Sequence, residues 1–198
     1  MRVHLVHAHP SPASFSATLA ARAVEALKAA GHDVDVLDLY AEGFDPVLRP
    51  AEWDAFFQPG GAPAGARAEI ERLRRAEALV LVYPTWWYGL PAILKGWFDR
   101  VWAPGVAFEL DPAGGPIRPA LTQLRRFVVV TTHGSPWWFI GLWLGNPGRT
   151  VLMRGLSRLA PKASRTFLGL YCMEPVSPQR RARFLARVEQ AMRSALTP

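Results

Sequence analysis

Two short runs of almost unbroken apolar residues constrain the fold of this chain most strongly. Residues 78–83 read Ala-Leu-Val-Leu-Val-Tyr, and residues 127–132 read Phe-Val-Val-Val-Thr-Thr. A strand with one face in water alternates apolar and polar residues, whereas a parallel strand covered by helices on both faces is apolar throughout. The two runs therefore predict inner strands of a parallel sheet.

Three further strands and five helices are predicted around these two runs. The other strands are expected at residues 2–7, 34–39 and 165–172. The helices are expected at 17–30, 66–76, 90–102, 149–159 and 178–196, and Gly31 is placed to end the first of them. Residues 40–65 contain four prolines and are expected to be irregular.

The alternation of five strands with helices predicts an α/β fold. Because crossover connections are right-handed and short, we expect a doubly wound five-stranded parallel sheet with strand order 2-1-3-4-5 and helices on both faces. No internal repeat or linker divides the sequence, and a single domain over residues 1–198 is expected.

Composition limits the classes of protein that this chain could represent. Half of the 198 residues are hydrophobic, which excludes a disordered tail or a collagen-like chain. A single cysteine, Cys172, excludes a disulfide framework and a cysteine-based zinc site, and no metal site is expected. No apolar run approaches the roughly 20 residues that cross a bilayer, and no signal peptide is evident. We therefore expect a cytoplasmic protein that does not insert into membranes.

The chain is basic, with 23 Lys and Arg against 16 Asp and Glu and a net charge of +7. Such a charge is compatible with nucleic acid, anionic lipid or a phosphorylated small molecule as a partner. The cations are scattered, and many lie in two helical stretches, 67–75 and 179–193. Because the sequence has no basic arm and no lysine-rich run, no nucleic-acid partner is expected.

Ligands of doubly wound sheets bind at the carboxyl ends of the strands, next to the point where the strand order reverses. This rule selects loops 9–16, 84–89 and 132–139. In the first loop, Ser14 and Ser16 precede or open a helix, whose unpaired amides and dipole favour an anion such as phosphate. His9 lies beside them. The alternative is that one of the serines only caps the helix.

The other two loops are rich in aromatic residues. Loop 84–89 reads Pro-Thr-Trp-Trp-Tyr-Gly, which suits a flat conjugated ring, and the alternative is a hydrophobic corner that covers the end of the sheet. Loop 132–139 reads Thr-His-Gly-Ser-Pro-Trp-Trp-Phe. Its Gly134 permits close approach of a ligand or a positive φ, and the alternative is a glycine turn that leads into an apolar helix. A phosphate site, an aromatic slot and a glycine turn at one place favour a flavin nucleotide.

Several motifs, in chain order, resemble the flavodoxin-like NAD(P)H:quinone reductase family. The most specific is Gly-Leu-Pro-Ala-Ile-Leu-Lys-Gly-Trp-Phe-Asp-Arg-Val at 89–101, preceded by Tyr-Pro-Thr-Trp-Trp-Tyr. His-Ala-His-Pro at 7–10 with Ser-Phe-Ser at 14–16, and Asp-Leu-Tyr at 38–40 with Phe-Asp-Pro at 44–46, also match. Thr-Thr-His-Gly-Ser at 131–135 is a variant of the family's Thr-Thr-Gly-Gly-Ser.

The resemblance implies a flavodoxin-like homodimer that binds FAD, or alternatively FMN, and transfers hydride from NAD(P)H to a quinone-like acceptor in ping-pong order. The family's cofactor contacts fall on His9, Ser14, Phe15, Ser16, Pro84, Thr85, Trp86, Trp87, Tyr88, Thr132, His133, Gly134 and Ser135. The substrate is expected to contact Trp87, Tyr88 and Phe139 as stacking walls, and also Phe108, which matches a family aromatic residue that closes the pocket from the partner subunit.

One departure from the family concerns the charge of the reduced flavin. The family's better-known members stabilise it with a Tyr and a His, at whose positions this chain has Phe139 and Gly145. His133 replaces a family glycine. The hypothesis is that His133 is a catalytic, titratable group at the anionic edge of the flavin. In the alternative, its backbone bonds the flavin and its side chain points to solvent.

Three other functions remain compatible with the same fold. A nitro- or azoreductase would use the same flavin and slot. A regulatory flavoprotein subunit of a potassium efflux system would dock on a membrane partner. A flavodoxin-like electron carrier would lack an NAD(P)H site, but such carriers are usually acidic, and the charge of +7 argues against that function.

Overall fold

A five-stranded parallel sheet forms the centre of the protein, for which a computed structural model describes residues 1–56, 63–174 and 176–194. Its strand order, β2-β1-β3-β6-β7, confirms the predicted order 2-1-3-4-5. The strands are β1 (Arg2–His7), β2 (Asp33–Asp38), β3 (Ala78–Pro84), β6 (Arg126–Thr132) and β7 (Ser164–Leu170). All seven residues of β3 are buried, as its apolar sequence requires.

Helices cover both faces of the sheet, as predicted. The helices are α1 (Phe15–Ala29), α2 (Pro50–Phe56), α3 (Arg67–Arg75), α4 (Ala92–Val101), α5 (Pro147–Thr150) and α6 (Pro178–Ser194). On one face, Leu27 of α1 and Val188 of α6 belong to a single core cluster. On the other face, Leu73 of α3 and Trp97 of α4 belong to a second core cluster. The expected end of the last helix, at residue 196, lies outside the described residues.

The segment predicted to be irregular, residues 40–65, contains the helix α2. Pro50 stands at its first position, where a proline costs no backbone hydrogen bond. The side chain of Glu52 accepts a hydrogen bond from Arg100 of α4, and Arg100 is almost fully buried. This ion pair ties the segment to the sheet-covering helix. Residues 57–62 of the segment lie outside the described residues.

The same segment packs closely against α4. A Cβ atom added at Gly96 would lie 2.2 Å from the carbonyl oxygen of Pro46 and 2.4 Å from its Cβ. The glycine of the motif at 89–101 therefore permits a contact between a helix and a loop that no other residue allows.

The helix predicted at 149–159 begins earlier and changes its pitch. After α5, the chain forms a wide π turn at Val151–Gly155 and a tight 3₁₀ turn at Leu156–Leu159. A short hairpin of β4 (Phe108–Glu109) and β5 (Arg118–Pro119), which we did not predict, carries Phe108. Among the described residues, no helix is both long and apolar enough to cross a bilayer.

Candidate functional site

The three loops selected from the sequence begin side by side. The amide of Ala8, after β1, donates to the carbonyl of Val82 in β3 at 3.1 Å. The amide of Thr85, after β3, donates to the carbonyl of Thr132 at the end of β6 at 2.8 Å. Parallel pairing thus brings the starts of loops 9–16, 84–89 and 132–139 to one edge of the sheet.

Ser14 and Ser16 have different roles at the start of α1. Ser14 is the N-cap, and its hydroxyl accepts a hydrogen bond from the amide of Ala17 at 3.1 Å. Ser14 therefore caps the helix, and it also lines the first of the cavities described below. The hydroxyl of Ser16 is buried and has no hydrogen-bond partner among the described residues. Such a group is costly unless something else bonds it, so Ser16 is suited to contact a ligand.

His9 is oriented by its own loop. The amide of Ser11 lies 2.9 Å from Nδ1 of His9 and the carbonyl of Ser11 lies 3.2 Å from it, and from the shorter contact we assign Nδ1 as the acceptor and the ring proton to Nε2. Burial lowers the pKa of His9, which favours the neutral ring. The ring meets that of Trp86 edge to face, with 6.1 Å between centroids. His9 can therefore act as a neutral hydrogen-bond donor next to the start of α1.

Loop 84–89 forms a tight two-residue turn. The amide of Gly89 donates to the carbonyl of Trp86 at 3.0 Å, and the reverse bond measures 3.3 Å. The two residues between them, Trp87 and Tyr88, both have positive φ, at 48° and 64°. Trp87 is 95% exposed, so the alternative that this loop forms a buried hydrophobic corner is wrong for Trp87.

The backbone of loop 132–139 is held by the end of β7. The amide of His133 donates to the carbonyl of Leu170 at 2.7 Å, and the carbonyl of His133 accepts from the amide of Met173 at 3.0 Å. Two reasons for a glycine at position 134 were expected, a positive φ or the close approach of a ligand. Gly134 does not have a positive φ, so the close approach of a ligand remains. A Cβ added at Gly134 would meet no atom within 4 Å and would project into open space.

The ring of His133 is buried, with 3% of its surface exposed. It stacks on Tyr171 with 4.4 Å between centroids and 5° between planes. The alternative in which this side chain points to solvent and its backbone bonds the flavin is therefore wrong. The ring is buried, and the amide and carbonyl of His133 already bond to Leu170 and Met173. Burial lowers the pKa of His133 to about 4, so the ring is neutral near neutrality, and not the readily titrating group of the first hypothesis.

This burial predicts a pH-dependent stability. The unfolded chain takes up a proton near the ordinary pKa of 6.5 and the folded chain only near 4, so the free energy of unfolding should fall as pH drops through that window. The loss attributable to His133 is at most about 3 kcal/mol. His133→Phe keeps the stack on Tyr171 and should flatten the dependence in urea unfolding measured at several pH values. The same slope in both proteins would contradict this assignment.

Two adjoining cavities open at this edge of the sheet, and Thr85 and Gly134 line both. The first, of about 280 Å³, is lined by His9, Ser14, Phe15, Ser16, Pro84, Thr85, Trp86, Thr132, Gly134, Met173 and Glu174. The second, of about 200 Å³, is lined by Thr85, Trp87, Tyr88, His133, Gly134, Ser135 and Ile140. All thirteen residues expected to bind the cofactor thus line one or both of two adjoining cavities.

A larger cleft, of about 400 Å³, lies at the opposite edge of the sheet, beside Arg2, Asp35 and Arg72. One of its cations is already paired, since Arg72 contacts the carboxylates of Glu42 at 3.1 Å and Asp35 at 3.9 Å. None of the three loops borders it. Position at the strand ends, and not size, therefore identifies the candidate site.

Two of the four expected substrate contacts lie apart from the cavity lining. Phe139 contacts Tyr88, with 6.0 Å between ring centroids, and so supports the aromatic wall from behind. Phe108 lies on the β4–β5 hairpin and packs on the core of its own chain. It lines neither cavity of this chain.

Sequence reasoning missed a fourth loop, at residues 171–174. Met173 and Glu174 line the first cavity, and Tyr171 stacks on His133. Beyond this loop, the guanidinium of Arg181 lies 5.6 Å from the centroid of Phe15. The strand-end rule applies to β7 as well and could have selected this loop, but the predicted strand extended to Cys172 and concealed it.

Known proteins share both the sequence pattern and the fold. The model of a family described as having a flavodoxin-like fold matches residues 1–151. NAD(P)H dehydrogenase [quinone] 1 of Rattus norvegicus is 34% identical over 152 residues, which cover 68% of this chain and 54% of the rat protein. The chain therefore spans about half the length of this curated relative.

Solved structures extend the similarity along the whole chain. NAD(P)H:quinone oxidoreductase from Methanothermobacter marburgensis is 32% identical and has a TM-score of 0.79, with 100% of this chain and 97% of that chain covered. An FMN-dependent NADH-azoreductase from Bacillus anthracis, solved in complex with FMN, covers 99% of each chain with a TM-score of 0.78. At 15% identity, it shows the fold alone. The loops, the cavities and these similarities together lead to the conclusion that the chain belongs to the flavodoxin-like NAD(P)H:quinone reductase family.

Proposed function

We propose that this protein is a flavin-dependent oxidoreductase that uses NAD(P)H to reduce a quinone or a similar aromatic acceptor. The observation that carries the proposal is the pair of adjoining cavities, one beside the start of α1 and one beside an aromatic turn. A bound flavin would supply the chemistry, by accepting hydride from NAD(P)H and passing it to the acceptor.

The residues of the first cavity fit the phosphate and ribityl part of such a group. The hydroxyl of Ser16 is buried without a partner among the described residues, and His9 presents an Nε2–H donor. The opening amides of α1 add the positive end of the helix dipole. Gly134 keeps the passage to the second cavity free of a side chain.

The residues of the second cavity fit a flat ring and its reaction partners. Trp87 and Tyr88 stand on the turn at its mouth, and Phe139 backs Tyr88. These rings would hold nicotinamide and acceptor in turn by stacking and would exclude water from the reaction. His133 is proposed as the catalytic group of the site, acting as a neutral imidazole and not as a cation, because burial lowers its pKa to about 4.

We propose FAD as the cofactor, with FMN as the alternative. The described lining of the first cavity holds no lysine or arginine of its own, so a cation would have to reach the phosphate charge from outside the lining. Arg181 lies next to this cavity on the ring of Phe15, where a planar guanidinium can stack on an adenine or contact a diphosphate.

We also propose that the protein is a cytoplasmic homodimer. Phe108 does not reach the cavities of its own chain, so it would close the site of a partner subunit. Exposed apolar side chains around its hairpin and α2 are suited to such an interface: Val47, Trp53, Leu110 and Ile117. In such a dimer, each active site would lie at the interface between the two chains.

The function is tested with the purified protein and its released flavin. We expect a yellow preparation, FAD in the heat-released supernatant on chromatography, and repeated reduction of a benzoquinone by NADH or NADPH. In stopped-flow reduction by NAD(P)H, His133→Phe should slow bleaching of the flavin absorbance.

Each measurement has an outcome that contradicts its part of the proposal. A preparation that is colourless and remains so after incubation with FAD and FMN would contradict a flavin enzyme. Release of FMN alone would identify FMN, and not FAD, as the cofactor. An unchanged rate of flavin reduction in His133→Phe would show that His133 is not a catalytic residue. The proposed oxidoreductase activity would be unaffected by that result.

A further inference from the structure

The buried ring of His133 is held beside the second cavity without a hydrogen bond. Its Nδ1 and Nε2 atoms are both buried, and neither has a hydrogen-bond partner among the described residues. A histidine ring in a functional site is usually oriented by a hydrogen bond from one nitrogen to a carbonyl or a carboxylate. Here the packing of neighbouring side chains must orient the ring instead.

Three alternate residues of the neighbouring strand and its continuation pack against this ring. Phe167, Gly169 and Tyr171 face the same side of the sheet, because successive residues of a strand point to opposite sides. The ring of Tyr171 is stacked on that of His133, whereas the ring of Phe167 lies 6.4 Å away and is tilted by 39°. A Cβ at Gly169 would lie 3.3 Å from Nε2 of His133 and 3.3 Å from Cε2 of Tyr171. The missing side chain at Gly169 thus leaves the room in which the two rings stack.

The stack limits how the His133 ring can turn. Rotation of an imidazole about its Cβ–Cγ bond has a broad energy profile, so the bond alone does not fix the ring. The two rings are parallel to within 5° at a centroid distance of 4.4 Å, which is contact across their faces. Rotation of His133 out of this plane would drive its edge into Tyr171. Tyr171 therefore restricts the ring to one plane.

Tyr171 is itself anchored by Asn146, the residue that caps α5. The Oδ1 atom of Asn146 accepts a hydrogen bond from the amide of Arg149 at 3.3 Å, so its Nδ2 is free to donate to the Tyr171 hydroxyl, at 3.4 Å. The amide of Asn146 donates to the carbonyl of Ile140 at 2.7 Å. Both Ile140 and His133 line the second cavity, so this series of contacts begins and ends at the site.

The helix α5 also rests on the turn that carries the aromatic wall. A Cβ at Gly148 would lie 3.3 Å from the carbonyl oxygen of Tyr88 and 3.7 Å from the Cα of Gly89. The backbone of α5 therefore packs directly on the backbone of that turn. Asn146, which caps this helix, is held in a fixed position relative to the turn, and so is the hydroxyl that it bonds.

We infer that Tyr171 is a positioning residue of the proposed reductase site, which holds the ring of His133 in one plane beside the second cavity and is held in turn by Asn146. Tyr171 lines neither cavity, so its effect on the reaction would pass through His133. The inference rests on the proposed function, because the plane of the ring matters only if His133 meets a ligand there. A neutral imidazole has one donor and one acceptor nitrogen, and both are directed only when the ring is fixed.

A double-mutant cycle with His133→Phe separates positioning from a merely structural role. Tyr171→Leu removes the stacked ring, whereas Tyr171→Phe keeps the ring and removes only the bond to Asn146. In stopped-flow reduction of the bound flavin by NAD(P)H, Tyr171→Leu should lower the rate at least about tenfold, and Tyr171→Phe by no more than about threefold. In the His133→Phe protein, Tyr171→Leu should lower the rate no further.

NMR of the flavin-free protein measures the placement of the ring without any activity. Protons held over the face of an aromatic ring resonate upfield, and His133→Phe identifies the resonances of His133. These resonances should move downfield in Tyr171→Leu and keep their position in Tyr171→Phe. The control is Tyr40→Leu, because Tyr40 follows β2 and lines neither cavity. It should change neither the resonances nor the rate.

Two results would overturn the inference directly: equal slowing by Tyr171→Leu with and without the imidazole of His133, or resonances of His133 that do not respond to Tyr171→Leu. An unchanged rate in either Tyr171→Leu or His133→Phe would also overturn it, while flavin reduction by the unmodified protein would uphold the proposed function. A protein that takes up no flavin would contradict both, and this result is seen before any variant is made.

Discussion

Replacing Gly134 with leucine is expected to abolish flavin binding while the protein remains folded. A Cβ at this position meets no atom within 4 Å, so the new side chain finds room without disturbing its neighbours. Gly134 lines both cavities, so we expect the added side chain to lie where they adjoin. A ligand that occupies both cavities at once would overlap the leucine.

The affinity for FAD should fall by at least about a hundredfold, which corresponds to about 2.7 kcal/mol. Titration of the flavin-free protein, followed by quenching of flavin fluorescence, measures this change. The matched control is Gly141→Leu, because an added Cβ at Gly141 also meets nothing within 4 Å but lies in the turn Phe139–Trp143, and Gly141 lines neither cavity. Equal FAD affinity of Gly134→Leu and Gly141→Leu would show that the flavin does not pass Gly134.

Replacing Gly96 with alanine is expected to destabilise the fold severely. The added Cβ would lie 2.2 Å from the carbonyl oxygen of Pro46 and 2.6 Å from its Cα. Both atoms belong to backbone, which cannot turn aside as a long side chain can. Gly96 is buried within α4, next to the fully buried Trp97, so the helix has no free direction in which to move.

Helix propensity alone gives the opposite sign for this substitution. Alanine is more favourable than glycine inside a helix by about 1 kcal/mol. Overpacking of a core costs about 1–3 kcal/mol, and more when backbone must move, so we expect a net loss of about 3 kcal/mol. Urea unfolding should show a lower midpoint with an unchanged slope. Gly141→Ala, at an open position, should stay within about 0.5 kcal/mol of the unmodified protein, and a neutral or stabilising Gly96→Ala would contradict the close contact with Pro46.

The sheet could be predicted from the sequence because its inner strands are nearly unbroken apolar runs. The apolar runs at 78–83 and 127–132 are the inner strands β3 and β6, which helices cover on both faces. Once the strand order is known, the strand ends determine which loops meet. That is why all thirteen expected cofactor residues lie around one site without any knowledge of side-chain contacts.

The parts that could not be predicted depend on contacts between distant segments. The fourth loop at the site turns at Cys172, whose φ of 58° a sequence does not reveal for a residue other than glycine. The buried ring of His133 packs closely on a glycine of the neighbouring strand, since a Cβ at Gly169 would lie 3.3 Å from its Nε2. Neither Gly169 nor Tyr171 is close to His133 along the chain, so the sequence could not distinguish a buried ring from an exposed one.

The helix α2 and the changes of helical pitch after α5 were not predicted for a related reason: both depend on contacts between distant segments. The helix α2 is short, follows Pro46 and begins with Pro50, and the ion pair of Glu52 with Arg100 holds it on α4. The change from α5 to a π turn and then to a 3₁₀ turn keeps Leu152 and Leu156 on the core, although their spacing alone is compatible with an ordinary helix.

The tight turn at Trp87 and Tyr88 has a cost that folding alone does not explain. Residues with a side chain are disfavoured in the left-handed region by about 1–2 kcal/mol each, and glycine or asparagine would form the same turn with less strain. Trp87 recovers none of this by packing, because nearly its whole indole faces solvent. The chain thus gives up stability at this point to display two aromatic rings, and strain of this kind is what we expect where residues serve the proposed activity and not the stability of the fold.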